Sequence, residues 1–298
     1  MPEGGPPVFL DYDQAALDAA YDQAAWAPNR DQLVARRVRN SELARARLGE
    51  PERAAYGADD IEGLDIYRTN AAGAPIFVYI HGGAWRSGLA KDFAVPAEMF
   101  LAAGAHYVVP DFAWVQQVGG NLMVLADQVR RAVAWVWANA ARFGGDSSRL
   151  YVGGQSSGGH LTAVLLTTDW QREFGLPGDL IRGGLCISGM YDLMPVRLSK
   201  RSAYVQFDDA TVAALSPIRH LDQLRTPVVV AYGTCETPEF QRQNREFAAA
   251  LATAGKKVRL FVGEHYNHFE LPETLANPYG LLGRAALDMM GLRPEGAR

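Results

Sequence analysis

The stretch LYVGGQSSGGHLTAVLLTT, residues 150–168, decides the fold class of this 298-residue chain. It opens with a short apolar run of strand length, continues with glycines and serines, and ends in a segment with the composition of a helix. A buried strand that turns sharply into a helix is typical of α/β proteins, in which helices cover both faces of a mostly parallel sheet.

Apolar runs of strand length alternate with amphipathic segments on both sides of this stretch. Strands are predicted at 64–67, 75–80, 106–109, 184–188, 227–232 and 258–262, the first at an edge of the sheet. Helices are predicted from 122 to near the glycines at 144 and 145, at 238–254 and at 281–290. We therefore predict a single α/β domain over residues 1–298, with an N-terminal helical arm or lid at 1–50 and an irregular insertion near the pocket at 195–222.

Composition narrows the functional classes. The formal net charge of -4 argues against a nucleic-acid-binding protein, and no apolar run is long enough for a membrane span. Cys186 and Cys235 are too few for a disulfide framework, so we expect both to be buried and reduced. No signal peptide is recognised and no metal or cofactor is implied, which predicts a cytoplasmic protein.

Residues 154–158 (GQSSG) match the pattern G-x-S-x-G, which places a nucleophilic serine on a strained turn between strand and helix. Glycines are needed there because side chains would clash at the flanking positions. Ser156 has a glycine two residues before and two after it, whereas Ser157 does not. Ser156 is therefore the predicted nucleophile, and Ser157 is expected to offer its backbone N–H.

The sequence HGGAW, residues 81–85, directly follows a predicted strand. Acyl transfer develops negative charge on a carbonyl oxygen, and backbone N–H groups aimed at that oxygen stabilise it. Gly82 and Gly83 allow such a close approach, so we predict an oxyanion hole formed by their N–H groups and that of Ser157. His81 is expected to brace this loop.

The general base must come from six histidines. In α/β enzymes with this serine motif the order along the chain is serine, acid, histidine, which favours a histidine after the last strand. His268 is preferred to His265, and His160 is expected to be structural. For the acid, Glu236 in the loop after strand 227–232 is preferred.

Two other carboxylates remain open as the acid. Glu239 lies in the first turn of the following helix, where a carboxylate is also expected to stabilise the helix dipole. Asp192 follows the preceding strand.

Four segments carry a resemblance to a known family: HGGAW, GGQSSGGHL, YGTCETPEFQRQ and NHFE. Together they resemble the kynurenine formamidase (arylformamidase) branch of the α/β-hydrolases, whose wider relatives are carboxylesterases of the hormone-sensitive-lipase type. The resemblance implies a triad of Ser156, Glu236 and His268. The sequence departs from the family where aspartate usually stands, at Glu236, and at 111–117 (DFAWVQQ), a segment that lines the pocket in relatives.

The resemblance implies a serine hydrolase that cleaves a small-acyl, N-formyl aryl amide or ester. The alternatives are a broad carboxylesterase for short-chain esters and a non-catalytic binding protein that has kept a hydrolase fold. The expected partner is a small, aromatic ester or amide substrate, and a homodimer is considered as the assembly. Aromatic side chains expected in the pocket are Trp85, Phe112, Trp114, Tyr204 and Phe207.

Overall fold

A computed structural model describes residues 5–294, which form one eight-stranded sheet flanked by helices. The strands are β1 (Glu52–Ala55), β2 (Gly63–Tyr67), β3 (Ala74–Ile80), β4 (His106–Pro110), β5 (Gly145–Gln155), β6 (Ile181–Ile187), β7 (Val228–Gly233) and β8 (Val258–Gly263). The helices are α1 (Gln14–Ala20), α2 (Arg30–Leu48), α3 (Val95–Ala102), α4 (Leu122–Asn139), α5 (Ser157–Leu166), α6 (Trp170–Phe174), α7 (Leu193–Leu198), α8 (Asp209–Leu215), α9 (Pro238–Thr253) and α10 (Leu281–Met290).

The sheet has the order β1-β2-β4-β3-β5-β6-β7-β8. β2 runs antiparallel to both of its neighbours, β1 and β4, and in this order the strands from β4 to β8 run parallel to one another. This confirms the predicted α/β class. The chain first winds from β3 to β4 and then returns to place β5 on the other side of β3, so the winding direction changes between β3 and β5. A crevice forms at such a point, at the carboxyl ends of the strands.

The core lies on both faces of the sheet, as the continuous apolar strands predict. Along β3, Ile76, Val78 and Ile80 pack into a cluster with α4, α5 and α9. Phe77 and Tyr79 point the other way, into a cluster with α3 and α10. Because successive side chains of a strand alternate between faces, a strand buried on both faces must be apolar at every position.

The prediction that residues 64–67 form an edge strand is wrong. β2 is completely buried and lies between β1 and β4, and the edge is formed by β1. β1 has the sequence ERAA and is mostly exposed, so it carries neither an apolar run nor a clear alternation. It pairs with β2 through backbone hydrogen bonds, and the types of its side chains do not predict this pairing.

The segment 195–222 is mostly helical, so the prediction of an irregular insertion is wrong. It contains most of α7, all of α8, two complete 3₁₀ turns and most of a third. Each helix begins at an aspartate whose side chain accepts a backbone N–H: Asp192 from Met194 and Asp208 from Thr211. The helices are six and seven residues long, too short for a clear helical period in the sequence.

The N-terminal arm packs onto the domain through buried contacts. Tyr21 donates its hydroxyl hydrogen to Glu239 Oε1 at 2.9 Å, and Thr237 Oγ1 donates to the carbonyl of Ala20 at 2.7 Å. On α2, the Ser41 hydroxyl accepts the N–H of Ala94 at 3.1 Å. These contacts hold α1 and α2 over the carboxyl edge of the sheet.

The two cysteines differ in their surroundings. Cys186 is buried in β6, as expected, and burial raises the pKa of its thiol. Cys235 is exposed in the loop after β7, so the expectation of burial is wrong for it. Both are free thiols. Within residues 5–294, no helix combines the length and the apolar character needed to cross a membrane.

A buried carboxylate fastens α4 to the turn before β2. Glu62 is 3 % exposed and accepts hydrogen bonds from Arg131, from Gln128 Nε2 at 3.1 Å and from the N–H of Asp59 at 3.3 Å. The hydrogen bond from Arg131 is the main reason that the pKa of Glu62 falls from its ordinary 4.5 to about 2. The folded state therefore favours the ionised carboxylate.

We expect Glu62→Gln to lower the free energy of unfolding by about 1.5–3 kcal/mol at pH 7, since it removes a charged hydrogen-bond acceptor. Because the folded pKa is the lower one, this stabilisation is present above pH 4.5 and is lost as the pH falls toward 2. Urea unfolding of the native protein and of Glu62→Gln at pH 7 and pH 3 measures this difference in the free energy of unfolding.

Asp127→Asn is the matched control, because Asp127 pairs with the same arginine at an exposed site. This substitution should lower the free energy of unfolding by less than about 1 kcal/mol. An equal difference at both pH values would contradict the prediction.

Candidate active site

The loops after β3, β5, β6, β7 and β8 meet at one edge of the sheet because these strands are parallel. Ser156 directly follows β5, Glu236 lies three residues after β7, and His268 lies five residues after β8. Each is almost fully buried. Ser156 and His268 are 112 positions apart in the chain, and the parallel strands bring them together at this edge.

Ser156 occupies a strained turn. Its φ of 59° and ψ of −123° lie outside the regions that L-residues favour, and its N–H donates to the carbonyl of Ile187 at 2.8 Å. The glycines around it are sterically required. A Cβ on Gly158 would lie 2.0 Å from the carbonyl oxygen of Ile80, and one on Gly154 would lie 2.5 Å from that same oxygen.

The three predicted triad side chains form a continuous hydrogen-bonded chain. Ser156 Oγ lies 2.9 Å from His268 Nε2, and His268 Nδ1 lies 2.8 Å from Glu236 Oε2. A carboxylate can only accept, so Nδ1 carries the hydrogen in the neutral imidazole and Nε2 presents its lone pair to the serine hydroxyl. This is the arrangement that lets an imidazole accept the serine proton.

The second oxygen of Glu236 is also held. Oε1 accepts the N–H of Gly233 at 2.7 Å and the hydroxyl hydrogen of Ser188 at 2.5 Å. Ser188 is a residue that the sequence interpretation missed. It directly follows β6, beside the end of β7, so its place after a neighbouring parallel strand was the available signal.

The other residues weighed for acid and base lie elsewhere. Glu239 is bound by Arg242 and by Tyr21, and Asp192 caps α7. His265 is exposed and its N–H donates to Thr234. None of these three side chains has a hydrogen bond to His268 or Ser156 among the residues that the structure describes.

Gln155 is a second residue that the sequence interpretation missed. Its Nε2 lies 3.0 Å from the carbonyl oxygen of His268 and 3.0 Å from His268 Nε2. The carbonyl can only accept, which identifies this atom as the amide donor. Gln155 therefore donates to the same imidazole lone pair that Ser156 faces, and it joins the end of β5 to the histidine loop.

The backbone N–H groups of Gly82, Gly83 and Ser157, close to Ser156, have no acceptor among residues 5–294. These are the groups predicted to bind the oxyanion. Gly83 has a φ of 129°, and a Cβ there would lie 2.1 Å from the carbonyl oxygen of Ser87. Only glycine permits this loop path.

Trp85 anchors the same loop to α5. Its φ of 61° is strained, and its Nε1 donates to His160 Nδ1 at 3.3 Å. Burial lowers the pKa of His160 to about 4, so the ring is neutral and its Nε2 donates to the carbonyl of Leu215 at 2.8 Å. The structural role expected for His160 is thus a link between the HGGAW loop, α5 and α8.

His81 bonds within the loop that it was expected to brace. Its Nδ1 lies 2.9 Å from the carbonyl oxygen of Gly82, and burial lowers the pKa of its imidazole. Its ring stacks on Phe112 with 4.3 Å between centroids.

Two adjoining cavities open beside the triad. The serine compartment, ≈ 550 Å³ in volume, is lined by Ser156, Gly82, Gly83, the turn before α2 and the segment 200–204. The apolar compartment, ≈ 240 Å³, is lined by His268 and Gln155 but not by Ser156. Its wall includes Leu33, Tyr79, Phe93, Pro96, Phe269 and Pro272. Both compartments share Val34, Arg37, Gln155, His268 and Phe269.

Of the five aromatic residues expected in the pocket, only Tyr204 lines a compartment. Trp85 and Phe207 pack edge-to-face behind the wall, Phe112 lies behind His81, and Trp114 donates its Nε1 hydrogen to the carbonyl of Gly88. The segment 111–117 therefore does not touch either cavity. A large part of the serine-compartment wall comes instead from the N-terminal arm and from the helical segment 195–222, neither of which carries a motif that marks it.

The charges around the serine compartment are strongly unbalanced. One carboxylate, Asp22, lies in the wall, and it is paired with Lys200 at 2.7 Å. Four further cations lie in the wall: Arg30, Arg37, Arg86 and Arg201. The cavity is therefore positive as a whole, which favours negatively charged ligands.

Comparison with known proteins gives a consistent result. A family model described as BD-FAE matches residues 64–179. The kynurenine formamidase of Danio rerio is 30% identical to this chain over an alignment that covers 92% of this chain and 96% of that protein. The esterase LipC of Mycobacterium tuberculosis is 29% identical over 66% of this chain and 51% of its own length. An esterase structure from Pyrobaculum calidifontis superposes with a TM-score of 0.71 at 20% identity, and covers 92% of this chain and 94% of that one.

Proposed function

We propose, on the premise that this chain belongs to the kynurenine formamidase family of α/β-hydrolases and hydrolyses ester or amide bonds, that it is a serine hydrolase of N-formyl aryl amides or esters. The observation that carries the proposal is the chain of hydrogen bonds from Ser156 through His268 to Glu236, with distances of 2.9 and 2.8 Å. Family membership weighs against a non-catalytic binding protein, because the named relatives are hydrolases.

The proposed reaction has two halves. Ser156 Oγ attacks the carbonyl carbon while His268 Nε2 takes the hydroxyl proton, and Glu236 stabilises the imidazolium that forms. The tetrahedral intermediate collapses when His268 passes the proton to the leaving nitrogen or oxygen, which departs and leaves an acyl-serine. Water then attacks the acyl carbon by the same proton path and releases the acid and Ser156.

Negative charge on the carbonyl oxygen is met by the N–H groups of Gly82, Gly83 and Ser157. Their lack of other acceptors supports this role, since they do not have to break a hydrogen bond to bind the oxyanion. The strained backbone at Ala84 and Trp85, with φ of 55° and 61°, supports a loop held in one conformation before substrate binds.

The apolar compartment supports an aromatic leaving group. A leaving group must receive its proton from His268 Nε2, so it lies on the histidine side of the scissile bond. The apolar compartment adjoins that side, and its Phe93, Phe269 and proline side chains suit the face of an aryl ring.

A short-chain carboxylesterase is the second candidate. The serine compartment, at ≈ 550 Å³, is much larger than a formyl group requires, and this observation favours acyl groups with several carbons. Both candidates use the same nucleophile, base and acid.

Steady-state kinetics on N-formylkynurenine and p-nitrophenyl acetate test the proposal. We expect kcat/KM for the formamide above about 10⁴ M⁻¹s⁻¹, in the range of enzymes acting on their own substrates. Turnover of the ester with negligible turnover of the formamide would move the function to carboxylesterase. Turnover of neither by folded protein would contradict the proposal.

A further inference from the structure

Arg201 is a cation buried in the wall of the serine compartment. It lies in the 3₁₀ turn Lys200–Ala203 within the segment 195–222, and only 8% of it is exposed. Charged side chains are rarely buried to this degree without a partner of opposite charge. No carboxylate of residues 5–294 lies within 4.0 Å of its guanidinium nitrogens.

Most of its hydrogen-bonding capacity is unused. A guanidinium has five N–H donors. Nη1 donates to Tyr204 Oη at 2.9 Å and Nη2 donates to the carbonyl oxygen of Tyr21 at 3.2 Å. Among the described residues the other three donors find no acceptor, and the buried Nε is one of them.

Aromatic rings, rather than an anion, hold this cation. Its Cζ lies 5.8 Å from the ring centroids of Tyr21 and Trp85 and 6.0 Å from that of Phe240. Cation–π contacts fix its position but satisfy no N–H donor. Trp85 belongs to the HGGAW loop and Phe240 packs against His268 at 5.1 Å, so the guanidinium is anchored beside the catalytic groups.

We propose that Arg201 is a specificity-determining residue that binds a carboxylate carried by the substrate; this rests on the proposed hydrolase function of the same cavity. A planar guanidinium with free donors matches the two oxygens of a carboxylate. Tyr204 adds a donor, since its hydroxyl oxygen accepts from Arg201 and its hydrogen has no acceptor among the described residues. Asp22 does not compete for Arg201, because Lys200 already pairs with it.

Arg201 differs from the other cations of the compartment in its burial and its partners. Arg30 is exposed and pairs with Asp31 at 2.7 Å, and Arg86 is exposed over the ring of Tyr204. Arg37 is the alternative cation for binding the substrate carboxylate. It lacks a carboxylate within 4.0 Å among residues 5–294 and lies over Phe93 at 4.4 Å. It faces both compartments, so its substitution distinguishes the two sites.

Two substrate pairs test the proposal and show which part of the substrate carries the carboxylate. N-formylanthranilate against formanilide places the carboxylate on the leaving group. The p-nitrophenyl monoester of succinic acid against p-nitrophenyl butyrate places it on the acyl group. For each pair the measured quantity is the ratio of kcat/KM for the charged and the neutral substrate, which cancels differences in the folded fraction of a variant.

We expect the ratio for one pair to exceed 10 in the native protein and to fall about 10- to 100-fold in Arg201→Met, the loss typical of one charged hydrogen-bonded contact. Arg201→Lys should keep part of the preference because the charge remains. Arg30→Gln should change the ratio by less than about twofold. An unchanged ratio in Arg201→Met, or a loss that appears only in Arg37→Gln, would overturn the proposal.

Binding without turnover separates this proposal from the proposed function. Calorimetric titration with benzoate and with benzamide compares a carboxylate and a neutral analogue in the native protein and in Arg201→Met. A preference for benzoate that Arg201→Met abolishes supports the carboxylate site even if none of the substrates is hydrolysed. Equal affinity for both in the native protein, together with equal turnover within each substrate pair, would reject it.

Discussion

Ser156→Ala is expected to lower kcat/KM for any ester or amide that the protein hydrolyses by about 10⁴- to 10⁶-fold, because it removes the oxygen proposed to form the acyl-enzyme. The remaining activity over water would come from binding and from the N–H groups of Gly82 and Gly83. Steady-state kinetics measure the loss, and labelling by a serine-reactive phosphonate gives an independent readout. Both the activity and the label should disappear together.

Ser157→Ala is the matched control for this prediction. The two serines are adjacent and both buried, but only Ser156 Oγ lies within hydrogen-bond distance of His268. Ser157 is proposed to contribute its backbone N–H, which alanine retains, so the activity should change by less than about tenfold. Retention of phosphonate labelling in Ser156→Ala would reject Ser156 as the nucleophile.

Glu236→Gln is expected to lower kcat by about 10⁴-fold while the fold is kept. The amide has nearly the shape of the carboxylate, but it cannot stabilise the imidazolium, and it can present an N–H that favours the wrong tautomer of His268. The loss should appear in kcat rather than KM, because the substituted group touches His268 and not the substrate.

Asp192→Asn provides the comparison for Glu236→Gln. Asp192 caps α7, and asparagine is a good N-cap, so kcat should stay within about threefold of the native value. Thermal unfolding of all three proteins checks that the fold is intact. If Asp192→Asn lost activity and Glu236→Gln did not, the proposed acid would be wrong.

The residues next to Ser156 in the sequence already predict its backbone conformation. The glycines at 154 and 158 leave no Cβ to clash with the carbonyl of Ile80, and the apolar run before them is continuous because β5 is buried on both faces. The order of the motifs along the chain follows from the same fold class. These features depend on residues within a few positions of one another or on strand periodicity, and both are visible in one sequence.

Edges and surface segments were less predictable. β1 carries an uninformative ERAA sequence, and the helices of 195–222 are too short to show a period, so backbone pairing and capping decide them. Cys235 shows the same limit, because a position next to a strand end does not say whether a side chain points inward.

What the sequence by itself determined is therefore the α/β class, the serine turn and the glycine loop, since each depends on local sterics and on the alternation of strand side chains. The tertiary structure decided which of three carboxylates reaches His268, because Glu236 and Glu239 are three residues apart but face different neighbours. It also decided the walls of the cavity. Arg37 from α2 and Arg201 from the segment 195–222 line the same cavity only because packing brings two distant, motif-free segments to the same edge of the sheet.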